Sequence, residues 1–465
     1  MMTANAPQLA RVLGRTQLLA IGLGAIIGSG IFVVPGPAAA QFAGPAIIFS
    51  FLISACGCAL AGLCYAELAA MYPQAGSAYT YSYHGFGRFI GWLVGWLLIL
   101  EYMFATAILG VAWSGYFTSL LAHLDLHFPE ALIRSPISTD VAGVVQIGAG
   151  LVDLPAVAIL ALATAIALRN VQVSATINAV ITALKIGVIV LVILAGVWFI
   201  DLDNWTPFVP PNTGVWGEFG WSGVMRGAAV IFFVYLGFDT VSVAAQEARN
   251  PQRDVPFAII GSLLICTVLF MPMALVLTGL TPYQTLNVPH PVAVAIAAAG
   301  PGLSWLRPIV EIGALIGMTS VLLVVLMAQS RILYAMAQDG LVPSGLGRIH
   351  PSYRTPVTAT IVVAIVAALM AALLPITLLG QLVSLGALTA FVAVAAGVLV
   401  LRRMRPDVPR PFRTPLVPLV PIGSILVCGA MMIGLPAATW MRFGIWLALG
   451  VVLYLVYGRH GQRRG

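Results

Sequence analysis

One lysine stands out because the chain has no other. Of its 22 lysine and arginine residues all but Lys185 are arginine. Lys185 lies about 14 residues from either end of the apolar stretch 171–199, so roughly 20 Å of helix separates it from each surface, farther than a lysine stem can snorkel. Arginine keeps its proton under almost all conditions, whereas a desolvated amine can give its proton up. Lysine at this one position therefore reads as a group that has to titrate. Protonated, it carries the charge of a bound monovalent cation, and deprotonation empties that charge from the site. Glu101, in Leu100-Glu101-Tyr102, and Asp239, in Gly237-Phe238-Asp239-Thr240, are carboxylates at comparable depth in apolar surroundings. Each needs a partner, water or a proton. The implied chemistry is proton binding and release at Lys185, Glu101 and Asp239, with a permanent ion pair to Glu101 or Asp239 as the static alternative for the lysine, and contact with a substrate ammonium or helix-to-helix hydrogen bonding as the alternatives for the two carboxylates.

A second kind of chemistry comes from glycine. Gly22-Leu23-Gly24-Ala25-Ile26-Ile27-Gly28-Ser29-Gly30-Ile31-Phe32 sets small residues at the midpoint of an apolar stretch that continues to Pro35 and Pro37, and Gly237 repeats the theme in a later stretch. A helix opened at mid-membrane presents amides on one half and carbonyls on the other. Amides of Gly28, Ser29 and Gly30 would hold a carboxylate at the positive end of a half-helix, and carbonyls from Phe233 to Gly237 would hold an ammonium. Such a pair of breaks reads the part common to all α-amino acids. The candidate substrate contacts are Ile27, Gly28, Ser29, Gly30 and Ile31 in the first break and Phe233, Val234, Leu236, Gly237 and Phe238 in the second. Gly24 and Gly28 also suit a small-xxx-small packing face, and Gly237 a packing contact. A dinucleotide fingerprint does not fit, since Gly22, Gly24 and Gly28 are spaced one residue too widely and no strand precedes them.

These groups need apolar elements around them, and composition supplies them. The chain is 60% hydrophobic and 8% charged, against about 25% charged residues in an ordinary soluble domain. Spans are expected at about 17–41, 45–70, 84–121, 151–168, 171–199, 222–247, 256–280, 308–337, 356–374, 377–401, 415–436 and 439–457. That makes an all-α membrane protein of about twelve transmembrane helices, with no cleaved leader expected. Arginines sort across this pattern, with Arg134, Arg226, Arg307 and Arg442 on one side and the other seventeen on the opposite side. Positive charge collects in cytoplasmic loops, so both termini are expected in the cytoplasm.

The net charge of +7 does not indicate nucleic acid, because the basic residues are distributed between spans rather than gathered on one folded face. All five cysteines lie in apolar stretches, where a disulfide framework or zinc site is not expected. His123 and His127 have metal-pair spacing around Asp125, but the span has nearly ended there and solvated loop histidines are expected. Glu67, Glu247 and Glu311 lie near span ends, where interfacial anchors and gate residues are found. No nucleophile elbow, phosphate loop or Cys-x-x-Cys pair supports an enzyme. No cofactor or metal is expected.

The chain resembles the amino acid–polyamine–organocation transporters, most closely their cationic-amino-acid-transporter-like bacterial branch. The residues that carry the resemblance are Gly22 to Phe32; Tyr65-Ala66-Glu67-Leu68 with Tyr72-Pro73 and Gly76-Ser77-Ala78-Tyr79; Phe232 to Thr240 continuing to Asn250-Pro251-Gln252-Arg253; Arg331 to Pro343; and Arg402 to Pro421. The resemblance implies a leucine-transporter-like fold, in which a first repeat of five helices (17–199) and an inverted second (222–401) are followed by two further helices (415–457), between cytoplasmic tails 1–16 and 458–465. It implies that the first break binds substrate carboxylate and the sixth-helix break its amino group. Lys185 falls where proton-coupled relatives put a lysine, in the region that binds sodium in sodium-driven cousins, and Glu101 and Asp239 match carboxylates of that branch. Gln246-Glu247 departs from the two adjacent acidic residues common there. The stretch Met318 to Met327, expected to line the side-chain pocket, is bulky and apolar, which points to small or medium neutral amino acids.

The expected function is import of L-amino acids coupled to protons, by a multi-pass protein of the inner or plasma membrane. Its expected partners are substrate, protons and bilayer, without nucleic acid; a small accessory subunit is left open. An amino acid or polyamine exchanger on the same fold, or a membrane sensor that binds without transporting, are the alternatives.

Overall fold

In hydrocarbon every backbone amide must be satisfied internally, and a helix does this within a single segment. The computed structural model describes residues 13–73, 76–139, 145–148, 150–168, 175–350 and 355–458. Expectations resting on Arg11, Arg169, Arg354, Arg459, Arg463 and Arg464, and on the first residues of the fifth expected span, lie outside these.

The first apolar stretch is divided into α1 (Arg15–Ile26), α2 (Ser29–Val33) and α3 (Pro35–Ala38), the last running into a π turn at Ala39–Ala43. Then come α4 (Ile47–Met71), α5 (Ala78–Phe86) and α6 (Arg88–His123). A hairpin of β1 (Ile137–Thr139) and β2 (Val145–Ile147), antiparallel with Ile137 opposite Ile147, leads to α7 (Leu154–Leu168) and α8 (Ala175–Gly196). The sixth apolar stretch consists of α9 (Gly220–Ile231), a 3-10 turn at Phe232–Tyr235 and α10 (Thr240–Val243). The remaining helices are α11 (Pro251–Leu280), α12 (Pro291–Ala298), α13 (Leu306–Gln338), α14 (Val357–Leu373), α15 (Ile376–Met404), α16 (Leu419–Ile433) and α17 (Ala437–Leu453).

Among the described residues, nine helical stretches are long and apolar enough to cross a membrane, and Leu154–Leu168, Val357–Leu373 and Leu419–Ile433 are shorter apolar helices. The chain is a multi-pass membrane protein. The third expected span, 84–121, needs correction at its start. Gly87, at φ 89, closes α5 and turns the chain before α6 begins, a conformation that costs glycine nothing and other residues a great deal. Two amphipathic or short elements, α5 and α12, and the hairpin lie where the sequence suggested only connections.

The bundle has two chemically distinct ends. At one end Leu13 pairs in parallel with Ala248, Arg15 lies 3.5 Å over the Phe257 ring, and Arg331 meets Glu247 at 3.0 Å. At the same end buried Glu67 takes Arg402 at 2.7 Å and Arg410 at 3.4 Å and accepts from the Thr414 amide at 2.7 Å. At the other end Glu311 pairs with Arg307 at 3.1 Å and accepts from Ser119. Trp198, Trp216, Trp221 and Trp305 are exposed there, in the manner of an interfacial aromatic belt. Arg226, near the start of the expected span 222–247, is buried within α9, its guanidinium 5.4 Å from the Trp216 ring. Between the ends α6 packs on α13 and α15, and α1 on α8 and α11.

Candidate functional site

The first break falls on two residues. Helix α1 ends at Ile26, Ile27 turns out of helical geometry at φ −78 and ψ 87, and Gly28 adopts φ −142 and ψ −138 before α2 starts at Ser29. The carbonyls of the last turn of α1 and the amides of the first turn of α2 thus lose their intrahelical partners. Ser29 begins α2, and its side chain lies outside the described set.

The second break is longer. The 3-10 turn at Phe232–Tyr235 gives way to Leu236 at φ −62 and ψ 146, and Gly237 takes φ 117. Thr240 then restarts the helix, its amide donating to the Gly237 carbonyl at 3.1 Å.

The two breaks touch. A Cβ placed on Gly237 would lie 2.8 Å from the carbonyl carbon of Ala25 and 3.0 Å from the Ile26 nitrogen, and one on Gly30 would lie 2.8 Å from the Val234 Cα. Contacts under 3.0 Å are closer than real Cβ atoms approach. Glycine at 30 and 237 is thus what lets two irregular backbones cross. The packing role considered for Gly237 and the break it marks are therefore the same feature: the residue both turns the chain and admits its neighbour.

A cavity opens at this crossing. Gly28 and Gly30 from the first break and Phe233, Leu236 and Gly237 from the second line it, together with Glu101 and Asp239. Ala105 and Leu109 of α6 and Val321 and Val325 of α13 complete its apolar wall. Glu101 is 4% exposed and Asp239 1%. Tyr102 donates its hydroxyl to Asp239 Oδ2 at 2.6 Å, while Oε2 of Glu101 has no hydrogen-bond partner among the described residues. Phe233 also borders a second, more apolar cavity with Val33, Ile108, Val230 and Gln381, on the side of the Trp-bearing end.

Lys185 is fully buried on α8, and its Nζ donates to the Gly24 carbonyl at 2.9 Å. That carbonyl belongs to the last turn of α1, where a helix carries roughly half a negative charge. A charged hydrogen bond of this kind is worth about 1.5–3 kcal/mol, less than the several kcal/mol that burying an ion costs. Among the described residues no carboxylate is in ion-pair contact with the amine, so the ion pair to Glu101 or Asp239 considered as the static alternative does not form. Thr182 and Asn178, one and two turns earlier on α8, face the Ala20 carbonyl at 3.3 and 3.4 Å. The lysine stem runs past Gly317 of α13, where a Cβ would meet its Cε at 3.3 Å.

The expected substrate residues thus divide. Gly28, Gly30, Phe233, Leu236 and Gly237 reach the cavity, whereas Ile27, Ile31, Val234 and Phe238 are 0% exposed core residues that do not border it. Sequence reasoning missed Ala25, Ile26, Tyr102, Ala105, Leu109 and Thr240, which border the cavity; only Tyr102, beside Glu101, offered a signal. His123 and His127 are exposed, and no group of three or more metal-ligating side chains occurs among the described residues.

Comparison with known proteins gives a consistent picture. The amino acid permease family model matches residues 13–457. The chain is 43% identical over 456 residues to a protein named methylthioribose transporter from Bacillus subtilis, covering 98% of this chain and 95% of that one. It is 41% identical over 458 residues to a branched-chain amino acid permease of the same organism, with the same coverage of 98% and 95%. A vacuolar cationic amino acid transporter of Arabidopsis thaliana is 38% identical over 401 residues, 86% of this chain and 64% of that protein.

Proposed function

The chain belongs to the amino acid permease family, and from that premise we propose that it is a secondary active transporter that imports L-amino acids with protons by alternating access. It is not an enzyme: its relatives are permeases and transporters. The observation that carries the proposal is the crossing of two interrupted helices at a cavity that Glu101 and Asp239 also line. In this reading the amides at Gly28, Ser29 and Gly30 receive the substrate carboxylate and the backbone from Phe233 to Gly237 its ammonium. Ala105, Leu109, Val321 and Val325 receive the side chain, which makes neutral aliphatic amino acids of valine to leucine size the substrate class. A relative named for branched-chain amino acids agrees with that choice.

Lys185 supplies the coupling. Protonated, its amine clamps the carbonyl end of α1 through Gly24; on losing the proton it releases that end, and no ion pair has to break. Glu101 and Asp239 carry protons on the substrate side of the same break. The nine longer and three shorter apolar helices correspond to twelve crossings, with 17–199 and 222–401 as inverted five-helix repeats, each opening on a broken helix, and 415–457 as an added pair. The arginine-rich end, and with it tails 1–16 and 458–465, faces the cytoplasm.

The test is uptake into liposomes of purified protein. An inside-alkaline gradient drives accumulation of labelled leucine, isoleucine or valine, and a protonophore abolishes it. Lys185→Ala loses the response to the gradient by about tenfold or more, the rate equivalent of about 1.4 kcal/mol, while retaining exchange in preloaded vesicles. Normal coupled transport in Lys185→Arg would sink the titration role, and ligand binding without accumulation would favour a sensor. One observation supports a second substrate reading: Glu101 Oε2, unpaired among the described residues on the cavity wall, can accept from a sugar hydroxyl. Methylthioribose, named for a relative, therefore belongs in the competition panel.

A further inference from the structure

Between the Glu101 and Asp239 carboxyls and the arginine-rich end of the bundle lie buried hydroxyls that the substrate site does not use. Tyr65 on α4 and Tyr81 on α5 are 0% and 1% exposed, and among the described residues neither hydroxyl has a hydrogen-bond partner in good geometry. Their rings meet edge to face at 6.2 Å, and Tyr65 packs against Phe238 at 5.4 Å and Phe391 at 5.1 Å. Tyr65 thereby sits against the residue that precedes Asp239 in the chain. Tyr81 in turn faces Asp239 and Ser242. Ser242 donates to the Asp239 carbonyl at 2.6 Å and lies 2.8 Å from the Ser77 hydroxyl, from which it can accept, and Ser77, fully buried at the start of α5, is held at φ 49, a conformation that a serine keeps only when its surroundings impose it.

Packing does not require these hydroxyls. In an aromatic cluster with Phe238 and Phe391 a phenylalanine would fill the same space, and an unpaired buried hydroxyl is a cost that phenylalanine avoids. A hydroxyl does what a phenyl hydrogen does not: it accepts and donates at once. A proton arriving on its oxygen from a carboxylic acid lets it release its own hydrogen to the next oxygen, directly or across a bridging water. One proton has then moved, and each hydroxyl is restored.

We propose that Tyr65, Tyr81, Ser242 and Ser77 relay protons between the Glu101 and Asp239 pair and the arginine-rich end of the bundle, by a path separate from Lys185. The proposal rests on the proton-coupled reading above. It assigns relay roles to residues outside the substrate cavity, since none of the four lines it.

Tyr65→Phe and Tyr81→Phe, which preserve ring packing, test it in proteoliposomes with two readouts. The first is gradient-driven leucine uptake followed with an internal pH dye; the second is leucine exchange at equal pH, in which the carrier returns loaded and no proton needs to leave. Both variants slow gradient-driven uptake and its proton flux by about tenfold or more, while exchange and the melting midpoint stay near wild type. Unchanged gradient-driven uptake in both variants overturns the relay. Uptake and exchange falling together with a lowered midpoint also overturns it, as a packing role. If wild-type protein itself accumulates leucine without moving protons, the coupled reading fails first and the relay with it, a result distinct from either failure in the variants alone.

Discussion

Glu67 is the carboxylate most heavily engaged in the described structure. With its side chain 1% exposed, it is shared by Arg402 and Arg410 and capped by the Thr414 amide, so α4, the end of α15 and the chain leading to α16 meet on one side chain. Removing one member of a buried ion pair typically costs about 3–5 kcal/mol, because the partner charge is left uncompensated. Arg402 is 28% exposed and can turn to water, so the expectation for Glu67→Ala is about 3 kcal/mol. Melting in detergent should show Glu67→Ala well below wild type and Arg402→Ala between them. Singular ionisable residues were legible at this scale: Lys185, Glu101 and Asp239 stand out because each is a charge among apolar neighbours. The Gly24 carbonyl that receives Lys185 was not, since a contact 161 residues away in the chain leaves no local mark. Val321 and Val325 were visible only as part of a broad stretch, because an apolar residue on an apolar helix has no contrast with those beside it.

At the scale of elements, glycine decides where helices stop. Gly237→Ala would introduce a side chain at φ 117 and 2.8 Å from a backbone carbonyl carbon, at a cost of about 1–3 kcal/mol for the conformation alone. Transport in vesicles should be lost while the protein still inserts. Gly187→Ala on α8, where nothing lies within 4 Å of the added carbon, should leave uptake and melting unchanged or slightly raise the midpoint. Loss of transport in both, or in neither, would refute the assignment of Gly237 to the crossing. The long apolar stretches and the two breaks could be read from composition and from glycine beside charge. The separation of α5 from α6 could not, because Gly87 follows an aromatic-rich segment that continues smoothly into apolar sequence. Helix α12 and the hairpin escaped because they are shorter than the window in which periodicity accumulates.

For the whole molecule, the segregation of arginine from exposed tryptophan sets an orientation that labelling can check. In a background with the exposed Cys56 changed to serine, the other described cysteines are buried. Asn212→Cys, at the tryptophan-bearing end, should react in intact cells with a membrane-impermeant maleimide, and Arg413→Cys only after permeabilisation; the reverse pattern would invert the molecule. The arginine asymmetry was legible because it is a sum over many loops, which tolerates errors in any single boundary. The closeness of Gly30 to Val234 and of Gly237 to Ala25 has a mechanical corollary. Two backbones in contact with no side chain between them have no cushion that rotates or compresses, so a shove delivered to either strand is handed undiminished to the other. The pair has the form of the pivot of a pair of scissors: in the proposed cycle, force reaching one arm, from a bound zwitterion or from a lysine letting go of a carbonyl, would swing both.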